Sequence, residues 1–124
     1  MPIEKERIYQ GDTLPVALEC RKPNPDDPND SRGLPTTPTS ATAKVYDSLN
    51  ETFLLIGGGS DDTADCTIIP QTGIDPDDKG AIVSYTVPSD FTQEAGDYKL
   101  FITAVFPDGA ILTEDKAFKV LELR

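Results

Sequence analysis

Of the residue types that do chemistry, this chain offers 22 Asp and Glu, two thiols (Cys20 and Cys66) and no His. Without imidazole, Ser- and Cys-nucleophile triads that rely on it as a base are excluded, as are imidazole metal ligands. Cys20 lies on an alternating apolar stretch, where burial raises a thiol's pKa and lowers its reactivity. Two cysteines make no disulfide framework, so Cys66 is expected to be a second buried, reduced thiol. Asp61, Asp62, Asp65, Asp75, Asp77 and Asp78 could supply the paired carboxylates of a glycosidase. They fall among Gly and Pro, where Asp commonly hydrogen-bonds its own backbone in turns, and the chain has no Trp to stack on a sugar. Asp75-Pro76-Asp77-Asp78-Lys79-Gly80 gathers hard oxygen donors of the kind calcium takes, but it lacks the spacing of a calcium loop and carries a repelling lysine. Gly57-Gly58-Gly59 leads into acids, with neither the Lys nor the helix of a phosphate cradle. The expectation is a protein that is not an enzyme, with no catalytic residues, no metal and no cofactor.

Eleven prolines and nine glycines divide the 124 residues into short stretches, several of which alternate with period two, the pattern of half-buried strands. Leu14, Val16, Leu18 and Cys20 form one such face. Pro15, which donates no ladder hydrogen bond, is expected at the strand's start or on an unpaired edge. Glu4 to Tyr9 reads as a short first strand, with Gly11-Asp12 as the bend. Ala41, Ala43 and Val45, then Thr52 to Ile56, read as a hairpin around Asp47-Ser48-Leu49-Asn50. Cys66 to Ile69 is a strand stopped by Pro70, and Ala81 to Val87 suits a central strand. Ser89 to Glu94 makes a crossing, with room for one helical turn capped by Ser89 or Asp90. Tyr98, Leu100, Ile102, Ala104 and Phe106 share one face of the next strand, and Pro107-Asp108-Gly109 is a hairpin turn. Ala110 to Thr113 and Ala117 to Leu123 complete the pair, with a bulge expected around Glu114-Asp115.

Glu94-Ala95-Gly96-Asp97-Tyr98 reads as a tyrosine corner, in which the ring packs inside and its hydroxyl bonds back to the turn. The expected fold is all-β: an immunoglobulin-like antiparallel β-sandwich of seven or eight strands, with residues 1–124 forming one domain. Residues 22–40 are the exception to the strand pattern. Five prolines in that stretch exclude a helix or ladder strand, and a loop of this length is often a binding segment. Its candidate partner-binding residues are Pro23, Pro25, Pro28, Arg32, Leu34 and Pro35.

Net charge is −11, and residues 41–98 hold most of the excess, with 11 acids against 2 bases. Such a surface repels phosphate backbones and anionic lipid, so neither nucleic acid nor membrane is expected as a partner. No stretch is apolar enough to cross a bilayer, and the first residues carry charges where an export signal would be apolar. A protein made and kept in the cytosol is expected.

Two blocks resemble the immunoglobulin-like domains of tailed-phage virion proteins. Ile8-Tyr9-Gln10-Gly11-Asp12-Thr13-Leu14-Pro15-Val16 is similar to the opening strand and turn of the N-terminal domain of phage baseplate upper proteins. Gly80-Ala81-Ile82-Val83-Ser84-Tyr85-Thr86-Val87-Pro88, with Glu94 to Tyr98, looks like the closing half of that sandwich. Leu100 stands where antibody-like domains carry their second cysteine, so their inter-sheet disulfide is not expected. The resemblance implies a virion structural protein made in the host cytoplasm. It would decorate the capsid or act as a tail or baseplate adaptor, in several symmetry-related copies, with other virion proteins as partners. Because the chain stops at Arg124, after its last strand, a stand-alone decoration or adaptor protein is expected. The alternative reading is a carbohydrate- or calcium-dependent adhesion module, with the acidic turns near Asp61 to Asp65 and Asp75 to Asp78 as its site.

Overall fold

Alternation governs what forms in the computed structural model, which describes residues 6–22, 36–54, 62–70, 72 and 80–123. Nine strands occur among these: β1 (Glu6–Tyr9), β2 (Leu14–Cys20), β3 (Ser40–Asp47), β4 (Thr52–Phe53), β5 (Ala64–Asp65), β6 (Thr67–Ile69), β7 (Ala81–Val87), β8 (Gly96–Val105) and β9 (Ile111–Leu121). The larger sheet runs β1-β9-β8-β3-β4, with β5 also pairing to β3, and the smaller runs β2-β7-β6. The orders β2-β7-β6 and β3-β8-β9 are those of strands B-E-D and C-F-G in an immunoglobulin sandwich. The inward positions read from the sequence hold: Leu14, Val16 and Cys20 from one sheet meet Val45, Leu100, Ile102 and Phe118 from the other in a shared core. Phe118 and Phe106 are the largest side chains sealed in it.

Three details differ from expectation. The strands number nine because a two-residue segment, β5, pairs with β3 in addition to the expected hairpin of β3 with β4 around Asp47 to Asn50. The sandwich is not wholly antiparallel, since β1 lies parallel to β9, Glu6 opposite Phe118 through Tyr9 opposite Leu121. No bulge interrupts β9, whose register against β8 is continuous from Ile111 to Val120. Outward charges at Asp115 and Lys119 keep the alternation that a ladder needs, so the Glu114-Asp115 pair only continues it.

Pro15 is the second residue of β2, whose ladder pairs it to β7, and β2 is the outer strand of its sheet among the described residues. The crossing is a single 3-10 turn, Ser89–Phe91, started by Pro88 with no side-chain cap. Instead, the Ser89 carbonyl accepts from Thr92 N, Thr92 Oγ1 and the Gln93 amide.

Candidate functional site

The predicted partner-binding residues Pro23, Pro25, Pro28, Arg32, Leu34 and Pro35 lie outside the described residues, but the chain on either side of them does not. On one side, the Lys22 ammonium pairs with the Asp108 carboxylate. On the other, the Thr39 amide and hydroxyl both donate to the Val105 carbonyl, at 2.7 and 3.0 Å, and Pro38 is buried. Both feet of the Pro-rich segment therefore stand on the β8–β9 hairpin. That hairpin is itself tight: Gly109 N donates to Phe106 O and Phe106 N to Ala110 O, both at 2.9 Å. Asp108 Oδ1 accepts from Ala110 N at 3.0 Å. The turn needs a left-handed residue, which Gly109 supplies at φ 90°. The Lys22 ammonium, and then the Ala110 amide, hold the Asp108 carboxyl below the usual carboxylate range.

At the tyrosine corner, the Tyr98 hydroxyl donates to the Glu94 carbonyl at 2.8 Å. Its ring, 4% exposed, stacks on Phe118 at 5.3 Å and 13°. Burial pushes the phenol pKa up, with smaller contributions from Asp47 and Glu94. Beside the corner is a concavity of about 370 Å³ lined by acids (Asp47, Asp90, Glu94) and by Leu54 and Phe91. Its innermost acid is engaged locally: Asp47 Oδ1 accepts from Leu49 N at 3.0 Å and Asn50 N at 3.3 Å, and Oδ2 from the Asn50 amide at 2.7 Å. An aspartate so used builds the β3–β4 turn.

Of the predicted acidic turns, Asp61, Asp75, Asp77 and Asp78 lie outside the described residues. Asp65 is an exposed residue of β5, paired to Thr42. Among the described residues, no three His, Cys, Asp or Glu side chains come together to hold a metal. Both cysteines are free thiols, Cys20 buried and Cys66 half-buried in the break between β5 and β6. Burial foremost, then neighbouring Cys20 and Asp65, pushes the Cys66 thiol up to about 11.

A surface that sequence reading missed lies on the outward face of the larger sheet. Tyr46 and Phe53 meet edge to face at 5.1 Å, and Phe53 and Phe101 at 6.1 Å. The Lys44 ammonium sits 4.3 Å above the Phe53 ring. The signal was present in the alternation, because a strand that buries Tyr98, Leu100 and Ile102 must turn Lys99, Phe101 and Thr103 outward.

In comparison with known proteins, the chain matches no protein-family model, and neither the curated proteins nor the solved structures give a significant match.

Proposed function

We propose that this chain is a non-enzymatic structural protein of a tailed-phage virion, decorating the capsid or joining tail or baseplate components. Contact is made through the residue 22–40 segment and through strand edges. The observation that carries this reading is the double fastening of that segment: Lys22 to Asp108, and Thr39 to Val105, on the two sides of one hairpin. A proline-rich stretch held at both feet by a stiff sandwich is suited to meeting a partner with little loss of freedom in its base. The strand order and tyrosine corner agree with the immunoglobulin-like architecture on which the virion resemblance rests. Strand edges add main-chain donors and acceptors for β-augmentation.

The test replaces residues 24–35 with a Gly-Ser linker of equal length, leaving Lys22 and Thr39 in place. Melting should stay close to that of the parent, while co-sedimentation with phage particles is lost. Undiminished incorporation would rule the segment out as the anchor.

A further inference from the structure

We propose that the concavity beside the tyrosine corner receives a lysine or arginine side chain presented by a partner protein. This deepens the assembly reading, on which it rests only in taking the occupant to belong to a protein. One wall of the concavity is the β3–β4 turn, with Asp47, Asn50 and Leu54, and the other is the crossing, with Asp90, Phe91 and Glu94. Both walls are fixed before anything binds. Asp47 is held by three donors of its own turn, and Ser48 N donates to Asp97 O at 3.1 Å, which ties that turn to the start of β8. The crossing is held by Gly11 N, which donates to Thr92 O at 3.0 Å, and by the Tyr98 hydroxyl, which donates to Glu94 O. A recess whose walls are already ordered loses little freedom when it is filled.

Its charge is one-sided. Three carboxylates line it, and among the described residues no Lys or Arg does. Asp47 is 4% exposed, so its charge acts from a region shielded from water. Asp90 and Glu94 stand exposed at the rim, and their carboxylates form no ion pair or hydrogen bond with another described residue. The Tyr98 phenol registers the field: burial first, then the charges of Asp47 and Glu94, pushes its pKa up. Leu54 and Phe91 add apolar wall, so the recess matches a cation carried on an aliphatic stem, which is the make-up of Lys and Arg. Leu49, 74% exposed and next in sequence to Asn50, offers apolar surface for the residues flanking that side chain.

Other occupants fit less well. No three acids converge to hold a metal among the described residues. At about 370 Å³ the recess stands near the small end of ligand sites, which bury most of their ligand's surface. With Asn50, Asp90, Gln93 and Glu94 all exposed, a free small molecule would stay largely in water. A side chain tethered to a partner brings the rest of its contact area with it. A second copy would bring a net charge of −11 against the same sign.

The test follows backbone amide NMR shifts of the full chain during titration with an end-blocked tripeptide, Lys between two Leu, against the same peptide with Gln in place of Lys. The Lys peptide should move the amides of Asn50, Asp90 and Glu94 and bind at least about fivefold tighter than the Gln peptide, an advantage that fades as salt rises from about 20 to about 300 mM. Because any acidic protein attracts a cation, two charge-matched double variants separate the site from the net charge. Asp90→Asn with Glu94→Gln should weaken the Lys peptide by about fivefold or more, with an unchanged melting temperature. Asp65→Asn with Glu114→Gln should leave its affinity as in the parent, since Asp65 pairs with Thr42 and Glu114 with Ile102, several residues along the ladders from Asp47 and Tyr98. Equal affinity for the two peptides, equal loss in the two double variants, or shifts confined to other amides would overturn the proposal. So would calcium chloride that moves the same amides at lower concentration than the peptide, or self-association abolished by Asp90→Asn with Glu94→Gln. Particle incorporation is scored separately. If the Lys peptide binds in the recess while the linker-replaced chain incorporates undiminished, the assembly reading alone fails; if the peptide does not bind while linker replacement abolishes incorporation, this inference alone fails.

Discussion

Tyr98 works through two parts of one side chain: its ring fills the space against Phe118, and its hydroxyl ties the crossing segment through Glu94. The two can be separated. Tyr98→Phe keeps the stack and should cost about 1 kcal/mol in urea denaturation, the usual net worth of one hydrogen bond. Tyr98→Ala empties the site and should cost about 3–5 kcal/mol. Asp108 gives a pH signature. Its folded pKa is depressed, so its contribution is fully present above the unfolded carboxyl pKa of about 3.9 and is lost as pH falls through the lower folded value. The melting-temperature gap between parent and Asp108→Ala should therefore close on acidification below about pH 4, and a gap unchanged there would contradict the pairing with Lys22. For Cys66, a pKa of about 11 leaves roughly a hundredfold less thiolate at pH 8 than the ordinary value, and disulfide-reagent labelling of the native chain should slow accordingly. The tyrosine corner was readable because its parts are adjacent in sequence. The Lys22–Asp108 pair was not, because nothing local marks two residues that meet only through the sheet.

Among the strands, nearly all were foreseeable, including the short β1, β4 and β6, and only β5 was not. β2, β7 and β8 turn every second residue inward, with Leu18 and Tyr85 half-buried and the others buried in the strand interiors, so their periodicity carries both their existence and their facing. β5 holds two residues, too few to display a period, and tertiary pairing with β3 creates it. The parallel placement of β1 was equally hidden, because four residues cannot state which strand they will join. The entrance to β7 is a test of close packing. A Cβ built at Gly80 would lie 2.9 Å from both the Cys20 carbonyl oxygen and Arg21 Cγ, and the carbonyl belongs to a strand that cannot yield freely. Gly80→Ala should destabilise by about 1–3 kcal/mol in chemical denaturation, separating β7 from β2 where Ala81 meets Cys20. A neutral result would mean that the end of β2 shifts more easily than its ladder suggests.

Taken together, the sandwich carries a net charge of −11 on a core to which both sheets contribute, so self-repulsion opposes compaction. Screening should relieve it: melting temperature is expected to rise between about 10 and about 200 mM salt, where the Debye length falls to several ångströms. A flat or falling curve would mean that attractive pairs outweigh the repulsion. The sign and size of this charge are legible in the sequence, but which charges stand side by side, as Asp97 does with Lys119 and Arg7 with Lys119, depends on strand register.

The side-by-side, same-direction placement of β1 and β9 has a mechanical meaning. A force drawing the start of β1 one way and the end of β9 the other slides the two strands past each other, loading their cross-links together instead of peeling them one at a time. Stretched by those ends, the molecule should behave as a latch, yielding in one abrupt step. Pulled instead across the β8–β9 hairpin, whose strands run oppositely, it should unzip at lower force, a contrast that optical-tweezer records along the two directions would display.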